Sequence, residues 1–260
     1  LGTLKKETEY NGIVTVHCEE KKIVDECSQK LKESEKPIDY SYGRPRIAED
    51  ESVEKAISLS KENNLKLHIC HLSSKKALEI ARENSKYQTI TWEFTPHHLL
   101  LDNTAYNKYG TIVKTNPPLR EKQDKISVID ICEYSMIGTD HAPHTLKEKN
   151  MGVWDSKPGI PNLETVVPLL LTEVNNKNLA LEFIPKILSE NPSKIFGLNN
   201  KGKIAIGKDA DLTVIDLKKE GKINIDDFYT KAKYTPFEDY SYKGYPILTI
   251  VNGKIVINKL

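Results

Sequence analysis

The sequence IGTDHAPH, at residues 137–144, decides how the rest of the chain is interpreted. It closes a short apolar run that begins at Ser135 and then brings one carboxylate, Asp140, and two imidazoles, His141 and His144, into five residues. A carboxylate beside histidines at the end of a strand suits metal ligation or proton transfer. A polar turn after a buried strand would have the same sequence, so the octet alone leaves both interpretations open.

Three earlier apolar runs also end in histidine or are followed by it. They cover residues 13–17, 65–71 and 89–95, and together with 135–137 they predict four successive strands. In a barrel of parallel strands the carboxyl ends meet on one face, so residues far apart in sequence can bind one ion. The pattern therefore predicts an α/β fold whose strand ends share one site.

Composition excludes several classes of function. A chain of 260 residues is long enough for one large α/β domain, with or without a small appendage. The net charge of +1 comes from lysines and acids spread along the chain, which predicts no nucleic-acid partner. The apolar runs are shorter than the roughly 20 residues that cross a bilayer, which predicts no membrane partner. The cysteines form no CxxC pair, so reduced and mostly buried thiols in a cytoplasmic protein are expected.

Not every histidine is expected to bind a ligand. The run at 65–71 alternates, so His68 and His71 are predicted to face opposite ways. His71, at the carboxyl end, is preferred for the shared site, whereas His68 is expected in the core or against a helix. His97 and His98 are consecutive at a helix start, which favours a structural or supporting role over ligation by both.

Residues 112–120 are predicted to be extended, since prolines at 117 and 118 restrict the backbone before them. Rigid prolines would hold the Asn116 amide in place, which suits recognition of an amide ligand, although a stiff connector is an equal alternative. Arginine is scarce compared with lysine. Arg44, Arg46 and Arg120 are therefore expected at positions that need the planar guanidinium group and its several N–H donors.

The remaining segments predict helices and a small β module. Helices are predicted at residues 19–33, 48–63, 75–84, 123–132 and 164–175, followed by a helical block at 179–198. The residue pattern of the sequence changes at Lys201, and a hairpin is predicted to turn at Asn252-Gly253. The chain is therefore divided into a barrel part, 1–200, and a partial β domain, 201–260. Residues 1–10 resemble a helix end, and the lack of an initial methionine predicts a preceding segment.

Five stretches together resemble the dihydroorotase family of the amidohydrolase superfamily. They are VHCE (16–19), ICHLS (69–73), TPHHL (95–99), KTNPPLR (114–120) and GTDHAPH (138–144). Each string is weak alone, but the five occur in order along nearly the whole chain, and together they are specific.

The resemblance implies a metal-dependent TIM barrel. This chain would supply strands five to eight and part of a small C-terminal β-sandwich. The cofactor would be zinc, as one or two ions, with His17, His71 and Asp140 as ligands. Asp140 would also be catalytic, transferring a proton in the reversible cyclisation of N-carbamoyl-L-aspartate to dihydroorotate in pyrimidine biosynthesis.

The resemblance also implies that the substrate is held by Asn116, His144 and the backbone of Pro158 and Gly159. The family's first strand carries a His-x-His pair, and these residues contain none. The expected partner is therefore the missing N-terminal segment of the same enzyme, with a homo-oligomer or aspartate carbamoyltransferase as further partners. Allantoinase, dihydropyrimidinase and a non-catalytic scaffold for aspartate carbamoyltransferase stay open as alternatives.

Overall fold

The computed structural model describes residues 12–85 and 89–260, so the predicted helix end at residues 1–10 lies outside it. Its α-helices and strands are, in chain order, β1 (Ile13–Val16), α1 (Lys21–Lys30), α2 (Asp39–Gly43), α3 (Arg46–Glu62), β2 (Lys66–Ile69), α4 (Lys75–Asn84), β3 (Ile90–Phe94), α5 (Pro96–Leu100), α6 (Ala105–Tyr109), β4 (Met136–Ile137), α7 (Leu146–Lys149), α8 (Val166–Asn175), α9 (Phe183–Pro185), α10 (Asn191–Ile195), β5 (Leu212–Lys222), β6 (Ser241–Val251) and β7 (Lys254–Asn258).

The first four strands form one parallel sheet, in the order β1-β2-β3-β4. Ile69 of β2 is in register with Val16 of β1 and Trp92 of β3, and Phe94 is in register with Ile137 of β4. Each strand lies within a predicted run, so the four strand predictions are confirmed. Because the strands are parallel, the residues that follow them lie at the same edge of the sheet.

Helices cover the sheet and bury its apolar side chains. Val53 of α3, Leu78 of α4 and Leu170 of α8 belong to one core cluster with Ile69 and Trp92 of the sheet. These three helices confirm the predictions at 48–63, 75–84 and 164–175, with ends that differ by two residues at most. A sheet covered by helices that alternate with its strands is the layer arrangement of α/β proteins.

The helix predicted at 123–132 is wrong. Only a single 3₁₀ turn forms there, Val128–Asp130, and it is closed by a capping box between Ser127 and Asp130. The backbone ahead of this turn is paired elsewhere, because Lys125 forms an isolated β-bridge with Ser74. Hydrogen bonds to another segment thus replace the i to i−4 bonds that a helix would need. The predicted extended passage at 112–120 likewise begins inside a 3₁₀ helix, Gly110–Val113.

The last three strands form a separate antiparallel sheet, in the order β5-β6-β7. The predicted hairpin is confirmed, since β6 and β7 flank a turn in which Asn252 and Gly253 both have positive φ. This sheet packs on α8 at Gly244, where an added Cβ would lie 2.6 Å from the Leu171 Cβ. The domain boundary at residue 200 stays a prediction.

Across the described residues, no helix combines the length and the apolar character that crossing a membrane requires.

Candidate metal centre

Two histidines meet at the carboxyl edge of the parallel sheet. His17 directly follows β1, and His71 lies two residues beyond β2, the neighbouring strand. The His17 Nδ1 is 3.3 Å from the His71 Nε2. His71 has a φ of 38°, a left-handed backbone conformation, so its side chain does not follow the alternating directions of the strand residues before it. The structure therefore brings together two of the predicted ligands.

Glu19 orients the ring of His17. The His17 Nε2 lies 2.9 Å from the Glu19 Oε2, and Arg44 donates to both oxygens of the same carboxylate. Burial raises the pKa of Glu19, but the bonds from His17 and Arg44 outweigh it and hold the pKa below its ordinary value. An ionised Glu19 accepts the Nε2 proton, which leaves the Nδ1 lone pair of His17 directed at His71.

Asp140 lies just beyond β4, on the same edge of the sheet, with a φ of 45°. Burial and the Glu93 carboxylate raise the pKa of Asp140 to about 6, and His17 acts in the opposite direction. The charges of Glu93 and His17 thus both act on Asp140. Of the three predicted ligands, the two imidazoles are in contact, and the carboxylate interacts electrostatically with His17. Among the described residues, these three do not form a group whose ligand atoms all lie within 4.8 Å of one another.

Glu93 was missed by sequence reasoning. Among the described residues, His68, Cys70 and Glu93 form a group whose possible ligand atoms all lie within 4.8 Å of one another. The signal was a single carboxylate within the otherwise uncharged strand at 89–95. A half-buried carboxylate among the strands of a barrel needs a polar partner, and imidazole and thiol groups are close to it here.

That His68 and His71 face opposite ways stays a prediction. The His68 Nδ1 is 2.9 Å from the Thr91 Oγ1, and its Nε2 is 3.5 Å from the Glu93 Oε2. Burial and the neighbouring His17 lower the pKa of His71 to about 4, and Glu93 acts in the opposite direction. The Glu93 carboxylate thus lies close to His68 and acts electrostatically on His71. His68 is buried, as expected of a core histidine.

The cysteines are free, but only Cys18 is buried; Cys27, Cys70 and Cys132 are partly exposed, which corrects the expectation of mostly buried thiols. Burial raises the pKa of Cys70 to about 11 and that of Cys18 to about 12. Both thiols are therefore protonated at neutral pH unless a cation binds them.

The residues predicted to hold the substrate lie on three loops. Tyr40 donates a hydrogen bond of 2.7 Å to the Asn116 Oδ1, which leaves the Asn116 amide N–H groups for other acceptors. The His144 Nε2 lies 3.1 Å from the Pro158 carbonyl oxygen. The backbone N–H of Gly159 donates to the Lys114 carbonyl over 2.8 Å, which ties this loop to the one that carries Asn116.

His97 and His98 belong to a buried network beneath the site. The Asn162 Nδ2 donates to the His97 Nδ1, so the His97 Nε2 carries a proton towards the Thr95 Oγ1. Thr95 in turn contacts the His98 Nδ1, and the His98 Nε2 donates to the Pro117 carbonyl. Burial lowers the pKa of His97 to about 3 and that of His98 well below its ordinary value. Both rings are therefore neutral hydrogen-bonding groups.

The donor atoms at the sheet edge fit a metal ion. Two imidazole nitrogens directed at one another, with a carboxylate nearby, form the kind of set that catalytic zinc sites use. The hydrogen bond between His17 and Glu19 adds the outer carboxylate that commonly orients a ligating histidine.

Imidazoles and carboxylates at the carboxyl ends of parallel strands define the class of TIM-barrel-like hydrolases. The model of the amidohydrolase family matches residues 2–256, and the chain belongs to that family. Its fold is TIM-barrel-like, and the family is generally metal-dependent.

Dihydroorotases are among its relatives. The dihydroorotase of Methanothermobacter thermautotrophicus is 50% identical over 244 residues, which cover 94% of this chain and 56% of the relative. The dihydroorotase of Pyrococcus furiosus is 40% identical over 248 residues, 95% of this chain and 55% of the relative. The chain thus spans little more than half the length of these relatives.

Solved structures of hydantoinases are similar to the chain. The L-hydantoinase (dihydropyrimidinase) from Arthrobacter aurescens gives a TM-score of 0.90 at 29% identity, over 95% of this chain and 57% of that protein. The D-hydantoinase (dihydropyrimidinase) from Thermus sp. gives a TM-score of 0.92 at 29% identity, over 99% of this chain and 59% of that protein.

Proposed function

We propose that this chain is part of a dihydroorotase, which interconverts N-carbamoyl-L-aspartate and dihydroorotate in pyrimidine synthesis. The observation that carries the proposal is the contact between the His17 Nδ1 and the His71 Nε2, 3.3 Å apart, with Asp140 in electrostatic range of His17. The identities of 50% and 40% to dihydroorotases over most of this chain support the choice of reaction.

His17, His71 and Asp140 would hold the metal, and zinc, as one or two ions, suits two imidazoles and a carboxylate. A bound zinc ion would polarise the carbonyl under attack and make water a stronger nucleophile at neutral pH. His17 can serve as a ligand without changing its protonation state, because Glu19 already holds the proton on the other ring nitrogen.

Asp140 would move the proton. In the metal-free site, burial and the nearby Glu93 raise the pKa of its carboxyl group above the ordinary value. A carboxyl group at the attacked bond can accept a proton in one step and return it in the next. In hydrolysis the proton would go to the leaving ring nitrogen, and in synthesis Asp140 would take it from the carbamoyl nitrogen.

Asn116, His144 and the Pro158-Gly159 backbone would bind the substrate. The Oδ1 of Asn116 accepts from Tyr40, so its N–H groups can donate to a carbonyl or carboxylate oxygen. The His144 Nε2 faces the Pro158 carbonyl, so the ring and this loop would be positioned together.

The rest of the barrel would come from a complementary segment of the same enzyme. The sheet described here has four parallel strands, which would be strands five to eight of eight. Among the described residues, β1 and β4 lie at the two ends of the strand order, a position that favours pairing with further strands. The β5-β6-β7 sheet would be part of a small β-sandwich completed by the same segment. A homo-oligomer and an assembly with aspartate carbamoyltransferase remain further proposals.

A related cyclic amidase is the second candidate. The hydantoinases noted above are 29% identical to the chain with TM-scores of 0.90 and 0.92, so the same scaffold accommodates other cyclic amides. A non-catalytic scaffold is less consistent with these residues, because a scaffold would not need two imidazoles directed at each other.

The test uses the complete enzyme that contains this chain. Turnover is measured with dihydroorotate, dihydrouracil, hydantoin and allantoin, and bound metal is measured by elemental analysis. The Asp140→Asn variant should lower kcat for dihydroorotate by about 10³-fold. The exposed Asp226→Asn serves as the matched control and should retain wild-type turnover. Unchanged turnover in Asp140→Asn, or preference for another substrate, would refute the proposal.

A further inference from the structure

Lys149 is a fully buried lysine at the end of α7, with 0% of its surface exposed. Its Nζ donates to three backbone carbonyls, those of Lys114 at 3.2 Å, Lys157 at 2.9 Å and Gly159 at 2.9 Å. A lysine ammonium has three N–H donors, so these three acceptors match its capacity. No donor of Lys149 is left to bind a substrate directly.

The accepting carbonyls belong to two segments that would hold the substrate. Lys157 and Gly159 flank Pro158, and Lys114 lies two residues before Asn116. The Gly159 N–H also donates to the Lys114 carbonyl over 2.8 Å, so that carbonyl connects both segments. The ammonium of Lys149 thus lies at the junction of the Asn116 loop and the Pro158-Gly159 loop.

The third substrate loop is attached to the same lysine. Helix α7, which ends at Lys149, begins directly after His144 and Thr145, and a capping box between Thr145 and Glu148 closes its first turn. The His144 Nε2 faces the Pro158 carbonyl at 3.1 Å. A single turn of helix therefore separates His144 from the side chain that holds the backbone on either side of Pro158.

Burying this ammonium costs desolvation free energy, a cost that an apolar side chain would not have. Burial, together with the positive charge of Lys114, lowers the pKa of Lys149 to about 7. Among the ion pairs of residues 12–85 and 89–260, none includes Lys149. An apolar side chain of similar length would fill the same space without the desolvation cost. The gain from the lysine is therefore the geometry that its three bonds impose on the backbone.

We propose that Lys149 is a positioning residue that holds the Asn116 loop, His144 and the Pro158-Gly159 backbone in the arrangement that binds the substrate. The inference rests on the proposed function, because it takes those three segments as the binding site of the cyclic amide. Lys149 touches neither the substrate nor the metal ligands. Its loss weakens binding of substrate and transition state alike, which raises KM and leaves kcat nearly unchanged.

The experiment compares Lys149→Met and Lys149→Gln in the complete enzyme. The matched control is Lys125→Met, since Lys125 is a partly buried lysine whose Nζ also donates to a backbone carbonyl, that of Leu99, which belongs to none of the three loops. Steady-state kinetics with dihydroorotate, bound metal and hydrogen exchange at the Gly159 amide are measured for each protein. Lys149→Met should raise KM at least about tenfold with kcat within about threefold of wild type.

The Gln variant retains N–H donors, so its KM should lie between wild type and Lys149→Met. Gly159 should exchange faster in both variants, while metal content and the control stay at wild-type values. The inference is overturned if Lys149→Met leaves both KM and hydrogen exchange at the Gly159 amide unchanged. It is also overturned if kcat and bound metal fall while KM stays constant, or if both variants fail to fold. A wild-type enzyme that does not convert dihydroorotate refutes the proposed function instead, and the exchange at Gly159 still decides the role of Lys149.

Discussion

Replacement of Arg120 by methionine should destabilise the protein strongly. Arg120 is 3% exposed and donates from Nη2 to the Oε2 of Glu49, which is 1% exposed, over 3.0 Å. Its other donors reach the Ser73 Oγ at 2.9 Å and the Arg44 carbonyl at 2.6 Å. Methionine fills similar space but leaves the Glu49 carboxylate buried with Ser73 as its remaining donor.

The magnitude follows from the burial of both partners. Breaking a buried ion pair by removing one member costs about 3–5 kcal/mol, because the other charge stays desolvated. Total stabilities are about 5–15 kcal/mol, so this loss is a large share. Burial raises the pKa of Glu49 and the charge of Arg120 opposes that rise, so the pKa should rise further in the variant. A raised folded-state pKa favours folding at low pH, and the variant should therefore recover stability as pH falls from 7 towards about 4.3, the unfolded value.

The assay is urea unfolding of the complete enzyme at several pH values, with Arg120→Met, Glu49→Gln and the double variant in one cycle. The double variant should lose less free energy of unfolding than Arg120→Met alone, because a neutral amide no longer needs the cation. A loss below about 1 kcal/mol in Arg120→Met, or additive losses in the double variant, would refute the role assigned to this pair.

Three further predictions concern the loops and the buried network. Tyr40→Phe removes the donor to the Asn116 Oδ1 and should raise KM for dihydroorotate about 2- to 10-fold, as a lost hydrogen bond does; an unaltered KM would contradict this. Gly159→Ala places a Cβ 2.3 Å from a backbone oxygen at a residue with a φ of 145°, so it should abolish substrate binding in a titration with dihydroorotate. In the same titration Gly152→Ala should bind as wild type does, because the atom nearest to its Cβ is 3.9 Å away. Burial lowers the pKa of His97 to about 3, whereas the pKa of this ring in the unfolded chain is about 6.5, so the unfolded chain takes up the proton first as pH falls. This ring should therefore lower the free energy of unfolding by about 2 kcal/mol between pH 7 and pH 5. A free energy of unfolding that stays constant over this pH range in urea titrations would contradict the prediction.

The four strands and the long helices could be predicted because each depends on a local apolar pattern. The runs at 65–71 and 89–95 became β2 and β3, and the amphipathic segment at 48–63 became α3. The segment at 123–132 has a helical pattern too, but its backbone is used in a bridge between Lys125 and Ser74. No local pattern contains the partner of a long-range hydrogen bond.

The sequence by itself determined where the parallel strands run and which chemical groups follow them: imidazoles at 17 and 71 and a carboxylate at 140. Only the tertiary structure decided how those groups interact, because His71 contacts His17 from a left-handed backbone conformation and the carboxylate of Glu93 acts on Asp140. Strand patterns arise from each residue's own preference for burial, whereas the charge and direction of a side chain within the site depend on neighbours that the fold supplies.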